Sequence, residues 1–219
     1  GSDLFAKKAR FTLALARPDL TPRFTLVGEA PERTQAEEGK LRVWQFTRRD
    51  VGPAVMERAV QAAWRYRSQV RFSTMSEWDP YVQWVRDLFR QSGKVTPKIK
   101  AQANQLTAGL KSAQAKVDAI YRYAVEKIQY EQDYARVIEG WEPHLPDQVL
   151  ERRYGDCKDK TMLIITMLAS LGIEAHPALI HTWQMGDLDR SLPGSQFNHA
   201  VVWLPAQKGL PEGRFLDAT

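Results

Sequence analysis

The last third of the chain carries three residues whose types, in this order, could perform acyl transfer: Cys157 in "RRYGDCKDK", His199 in "NHAVVWL" and Asp217 in "FLDAT". A thiol that attacks a carbonyl must give up its proton, needs a base to receive it, and needs a group that orients that base. Cys157 is the single cysteine among 219 residues. It stands between Asp156 and Lys158, at the mouth of the apolar run "TMLIITMLASLG".

This placement predicts a thiol at the N-terminus of a helix, where unpaired N–H groups and the positive end of the helix dipole favour thiolate over thiol. Lys158 and Lys160 add positive charge, and Asp156 and Asp159 oppose it. The N–H groups of such a helix end, that of Cys157 included, would also face an oxyanion developing on the attacked carbonyl. A thiol depressed in this way is alkylated rapidly near pH 6. Each residue taken alone also fits an ordinary role: Cys157 as small apolar filler, His199 as a hydrogen-bonded histidine at a strand start, Asp217 as a turn residue. A filler cysteine, however, belongs among Ile164 to Leu171 rather than between two charges.

Hydrophobic periodicity gives the elements that would hold these residues. Within residues 10–50, "RFTLALA", "RFTLVGEA" and "LRVWQFTRRD" alternate as strands do, and the polar "APERTQAEEGK" reads as the connection of a hairpin. Val51 to Phe72, with Pro53 and "VRFST", reads as a turn and a further strand, so residues 1–76 form a β-rich N-terminal module and residues 77–219 a second domain. From Ser76 the period becomes helical. Tyr81, Trp84, Val85, Leu88 and Phe89 make one stripe that stops at Gly93. Thr96 then caps a helix with Pro97 in its first position, and Gly109 divides it from a second that bears Val117, Ile120, Tyr121, Ala124 and Ile128. A short helix is expected over Pro146 to Arg152, and a helix buried on most sides after Cys157. "IEAHPALIHT", "NHAVVWLPA" and "GRFLDAT" read as three strands.

"YGDCKDKTMLIITMLASLGIEA", "NHAVVWL" and "GRFLDAT" resemble the three motif blocks of the bacterial transglutaminase-like superfamily. The upstream "LRVWQFTRRDVGPAVME…VRFSTMSEWDPYVQWVRDLF" resembles, more loosely, the end of the β-rich domain of unknown function that precedes such cores in secreted bacterial proteins. The resemblance implies an α+β fold: a papain-like core of helices packed on an antiparallel sheet, with an N-terminal β-rich module. It implies Cys157 as nucleophile, His199 as base and Asp217 as the residue that orients the imidazole. Attack on a carboxamide or peptide carbonyl would form a thioester, resolved by water in a peptidase or amidase, or by an amine in cross-linking. Tyr130 and Trp141 are candidates to line the cleft, with core packing as the alternative for both, and Asp156 is a third. The long polar loop Met185–Gln196 departs from the family's simpler members and would alter substrate access.

No cofactor or metal is required by this chemistry, and four scattered histidines with one cysteine form no zinc pattern. The partner is expected to be a protein or peptide substrate. Residues 1–100 hold 19 Lys and Arg against 11 Asp and Glu, while the remainder holds 12 against 15. No basic stripe with aromatics stands out beyond "WRYRSQVRF", so nucleic acid is not expected. A binding or scaffold domain that keeps the fold without turnover is the alternative, although a complete Cys-His-Asp set argues against it. No apolar run approaches the roughly 20 residues that span a bilayer. Gly1-Ser2 has the look of a cloning remnant and the chain stops abruptly at "FLDAT", so a piece of a longer protein is expected, with any signal peptide, membrane anchor or further domain outside it. A periplasmic or secreted bacterial setting follows from the resemblance.

Overall fold

The computed structural model describes residues 5–52, 68–132, 141–182 and 188–219. The turn expected after Val51, and the first four residues of the basic segment Trp64 to Phe72, lie outside the described residues. By internal contacts the chain divides into two compact units, Gly1–Tyr81 with His181–Gln196, and Val82–Ile180 with Phe197–Thr219.

In the first unit, β1 (Ala6–Leu15), β3 (Glu32–Glu38) and β4 (Leu41–Val51) form a sheet in the order β1-β4-β3, and β2 (Arg23–Val27) pairs with β5 (Gln69–Ser73), all antiparallel. The stretch expected as a connection, "APERTQAEEGK", is corrected here: Glu32–Glu38 is a strand, exposed along its whole length. It lies at the sheet edge, where no face is covered, so no apolar alternation is needed. The turn back into β4 passes through Gly39 at φ +64°, which a residue with a Cβ rarely adopts. Aromatic rings join the two sheets. Phe24 lies 4.9 Å from Phe46 and Phe11 5.9 Å from Phe72, centroid to centroid, within the usual range for ring pairs. The described part of the polar loop, residues 188–196, closes on the Gln196 side chain, whose Nε2 donates to the carbonyls of Asp189 (2.8 Å) and Leu192 (2.6 Å).

Helix α1 (Trp78–Ser92) buries Tyr81, Val85 and Phe89 but leaves Trp84 exposed, its ring 6.3 Å from that of Trp141. The second unit continues with α2 (Pro97–Leu106), α3 (Ala113–Lys127), α4 (Pro146–Arg152) and α5 (Cys157–Ser170). Thr96 and Ser112 cap α2 and α3 by accepting from the N–H groups of Ile99 (3.2 Å) and Ala115 (3.1 Å). Helix α5 is the centre of this unit: α2, α3, α4 and the strand β9 (His199–Leu204) all pack against it. Leu163, Ile164, Met167 and Leu168 of α5 have no exposed surface, nor do Val202 and Leu204 of β9. Strand β9 is central in the antiparallel sheet β10-β9-β8, between β8 (His176–Ile180) and β10 (Arg214–Leu216).

One element had no counterpart in the sequence pattern. Gln129–Tyr130 (β6) and Tyr154–Gly155 (β7) form a two-residue parallel pair, joined by Gln129 N–H to Arg153 O (2.7 Å) and Glu131 N–H to Gly155 O (3.1 Å). It fixes the chain that leaves α3 to the chain that enters α5. Because Leu163 is fully buried, Leu163→Ala should cost about 2–5 kcal/mol, read as a lower urea midpoint at unchanged slope.

Candidate active site

Cys157 is the first residue of α5, with Asp156 as its N-cap. The Asp156 Oδ1 accepts from the N–H of Asp159 (3.3 Å), and the Asp159 Oδ2 accepts in return from the N–H of Asp156 (3.3 Å). Two aspartates thereby satisfy a helix end reciprocally. Lys158 pairs with Asp156, and Asp159 also holds His144, accepting from its backbone N–H (2.8 Å) and contacting its Nδ1 (2.9 Å). Gly155 is required by the same turn: a Cβ there would lie 2.8 Å from the Cβ of Asp159. The charged residues around the cysteine are therefore buried structure, each fixed by a partner. Asp156, expected as a cleft-lining residue, is a buried cap.

Four N–H groups begin α5. That of Asp156 goes to Asp159 and that of Asp159 to Asp156, while that of Lys158 lies beside the Cys157 sulfur; Lys160 makes the first helical bond, to the Asp156 carbonyl (3.0 Å). The N–H of Cys157 has no acceptor among the described residues. The sulfur also faces the N–H of Ala200, the residue after His199, and the Thr161 hydroxyl donates to the Ala200 carbonyl (3.2 Å). The thiol thus sits against the start of β9.

Burial pushes the Cys157 thiol up, and the neighbouring Asp156 carboxylate adds to that; the Ala200 and Lys158 N–H groups and the Lys158 ammonium only partly offset it. This differs from the depressed thiol expected of a helix N-terminus. The first turn of α5 is itself covered, so loss of hydration disfavours the thiolate more than these dipoles favour it.

His199 opens β9 and pairs with Ile180 of β8. Its Nε2 is 2.9 Å from Oδ2 of Asp217, one residue past the end of β10. The Asp217 carboxylate is held in turn by Thr219, whose hydroxyl (2.8 Å) and N–H (3.2 Å) both donate to Oδ1, and the Tyr121 hydroxyl donates to the Asp217 carbonyl (2.7 Å). Burial raises this carboxyl, but the hydrogen bonds from His199 and Thr219 outweigh it and hold it below the usual carboxylate range. With Nε2 committed to Asp217, Nδ1 is the imidazole nitrogen left for a thiol proton.

Tyr130 is exposed and borders a depression with Lys160 and Thr219, whereas Trp141 has its ring near Trp84. Thr219, Tyr121 and Lys160 were not legible as site residues. Thr219 could have been suspected from "DAT", because an Asp followed two residues later by Thr commonly closes a local hydrogen-bonded turn; the other two carry no sequence signal.

Residues 100–206 match the family model of the Transglutaminase-like superfamily, a span that contains Cys157 and His199 and ends before Asp217. No curated protein matches the chain in sequence. Among solved structures, a candidate protease from Parabacteroides distasonis ATCC 8503 aligns with 97% of the chain at 17% identity and a TM-score of 0.79. The chain spans 40% of that protein. A candidate cysteine protease from Cytophaga hutchinsonii aligns with 96% of the chain and 72% of its own length, at 12% identity and a TM-score of 0.45. The periplasmic domain of TgpA from Pseudomonas aeruginosa aligns with 98% of the chain and 71% of its own length, at 16% identity and a TM-score of 0.42. At these identities the likeness is one of fold, and the fold is the α+β arrangement of the transglutaminase-like proteins.

Two measurements follow. Because burial keeps the thiol protonated, iodoacetamide should alkylate Cys157 at pH 6 no faster than a model thiol, with a rate that climbs past the pH at which the model thiol levels off; a plateau by pH 7 would show a depressed thiol instead. Gly155→Ala should lower the melting temperature and slow any reaction of Cys157, because the Cβ displaces Asp159 from the cap.

Proposed function

We propose that this chain, whose residues 100–206 are those of a transglutaminase-like protein, is a thiol-dependent acyl-transfer enzyme in which Cys157, His199 and Asp217 carry the reaction. The observation that supports this most directly is the 2.9 Å contact between His199 Nε2 and Asp217 Oδ2, with the sulfur of Cys157 against the N–H of Ala200, the next residue of β9. A neutral thiol needs a base in contact during attack, and His199 Nδ1 fills that role.

The sulfur attacks the carbonyl carbon of a carboxamide or peptide while the thiol proton passes to His199. Asp217 stabilises the imidazolium that forms. The N–H of Cys157, without an acceptor among the described residues, donates to the oxyanion. Collapse expels ammonia or an amine, which takes the proton back from His199, and a thioester remains on Cys157. Water or an amine then attacks the thioester, His199 accepts and returns a proton, and the thiol is regenerated. Hydrolysis of a protein or peptide substrate is the reading we favour; the resemblance to secreted bacterial proteins leads us to a periplasmic or extracellular setting. Among the described residues no helix is long and apolar enough to cross a membrane.

On a mixed peptide library assayed for cleavage and ammonia release, Cys157→Ala should lose activity by about three orders of magnitude or more with its melting temperature retained, and His199→Ala nearly as much. Asp217→Asn should lose less, because it disturbs the orientation of the base. Activity that survives in Cys157→Ala would sink the proposal and leave a binding domain. The acyl group trapped on Cys157, identified by mass spectrometry, names the substrate.

A further inference from the structure

Beside the Asp217 end of the site lies a depression of about 580 Å³, bordered by Glu126, Lys127, Tyr130, Arg153, Lys160 and Thr219. Its lining holds three cations and one anion. Lys127 and Arg153 are exposed, but Lys160 is only 2% exposed. The Lys160 ammonium has three N–H donors, and among the described residues its acceptor is the carbonyl of Ile128 (2.8 Å). The charge of Asp217 acts on it, yet the Asp217 carboxylate is hydrogen-bonded by His199 and Thr219 instead. A buried ammonium with donors to spare is costly unless an anion meets it.

We infer that this depression receives a carboxylate of the substrate, with Lys160 as its buried anchor and Lys127 and Arg153 at the mouth. The inference rests on acyl transfer at Cys157. Lys160 follows Cys157 by three positions on α5, so the two share a face about 5 Å apart along the axis. Thr219, on the border of the depression, is 3.5 Å from the catalytic imidazole. These spacings suit a carboxylate within about one residue of the attacked carbonyl. The substrate class is therefore an acidic peptide or peptide-like amide, carrying a terminal carboxylate or an Asp or Glu side chain at that place. Lys160 is a specificity residue in this scheme and takes no part in bond making.

The test uses alkylating probes that deliver a carboxylate to Cys157. Iodoacetylglycine is compared with iodoacetylglycinamide for a terminal carboxylate, and iodoacetyl-isoglutamine with iodoacetyl-glutamine amide for a side-chain carboxylate. In at least one pair the carboxylate member should react about tenfold faster at low salt, an advantage that shrinks as salt is added. Lys160→Gln should bring that pair to within about twofold while the neutral probe keeps its rate. Because Lys160 also holds Ile128, its variant is checked by thermal melting; should it fail to fold, Lys127→Glu at the exposed mouth decides by erasing or reversing the preference. Equal rates within both pairs in the parent protein would overturn the inference. So would a preference untouched by both substitutions, which would have its source outside this depression. Peptide turnover measured alongside separates the two claims: a charge preference without turnover counts against the acyl-transfer reading, and turnover without the preference counts against the subsite alone.

Discussion

A helix whose body is covered on nearly every side must still satisfy the open backbone groups of its first turn, and the first turn of α5, which begins at Cys157, is where burial and that demand meet. The backbone leaves four N–H groups there without helical partners, and burial leaves little water to satisfy them. Asp156 and Asp159 meet the demand by capping each other's N–H groups, but each brings a negative charge that burial makes costly. Lys158 and His144 are the answers to those charges. Gly155 follows from the same constraint, since the turn that brings Asp159 back to Asp156 has no room for a Cβ. The run of charges around the cysteine is one satisfied network, and the sulfur and the N–H of Cys157 are what it leaves available for chemistry.

The sheet completes the site by a different logic. Strand β9 is central, so the faces of Val202 and Leu204 are sealed against α5, and that packing holds His199 at the strand start near the helix end. Asp217 comes from just beyond β10, where the ladder has ended and a side chain can turn to its neighbour. Thr219 and Tyr121 hold it by its side chain and its carbonyl. Coverage of the first turn also sets the electrostatics. It raises the thiol, because burial and the neighbouring Asp156 carboxylate both disfavour the thiolate.

Much of the fold was legible because burial writes a period into the chain. The stripe of α1, the cap Thr96, the division at Gly109 and the three last strands all appear where the pattern puts them. Glu32–Glu38 did not, because an edge strand with both faces in water has no period to write. The parallel pair β6–β7 did not, because two residues are too few to show one. Trp84 was read as core from its spacing, yet it is exposed, because the covered stripe of α1 is narrower than the apolar one.

The sequence by itself determined the order of Cys157, His199 and Asp217 along the chain, the helix that begins at Cys157 and the strand that begins at His199. These follow from residue types and local periodicity, which act over a few neighbours. Only the tertiary structure decided that the imidazole meets Asp217 through Nε2, that Thr219 and Tyr121 hold Asp217, and that Asp156 is a cap instead of a cleft wall. It also decided that the thiol is raised and that Lys160 is buried beside a cationic depression. The physical reason is the same in each case. Desolvation and hydrogen-bond partnership depend on what packs against a group from distant parts of the chain, and that information is absent from spacing along it.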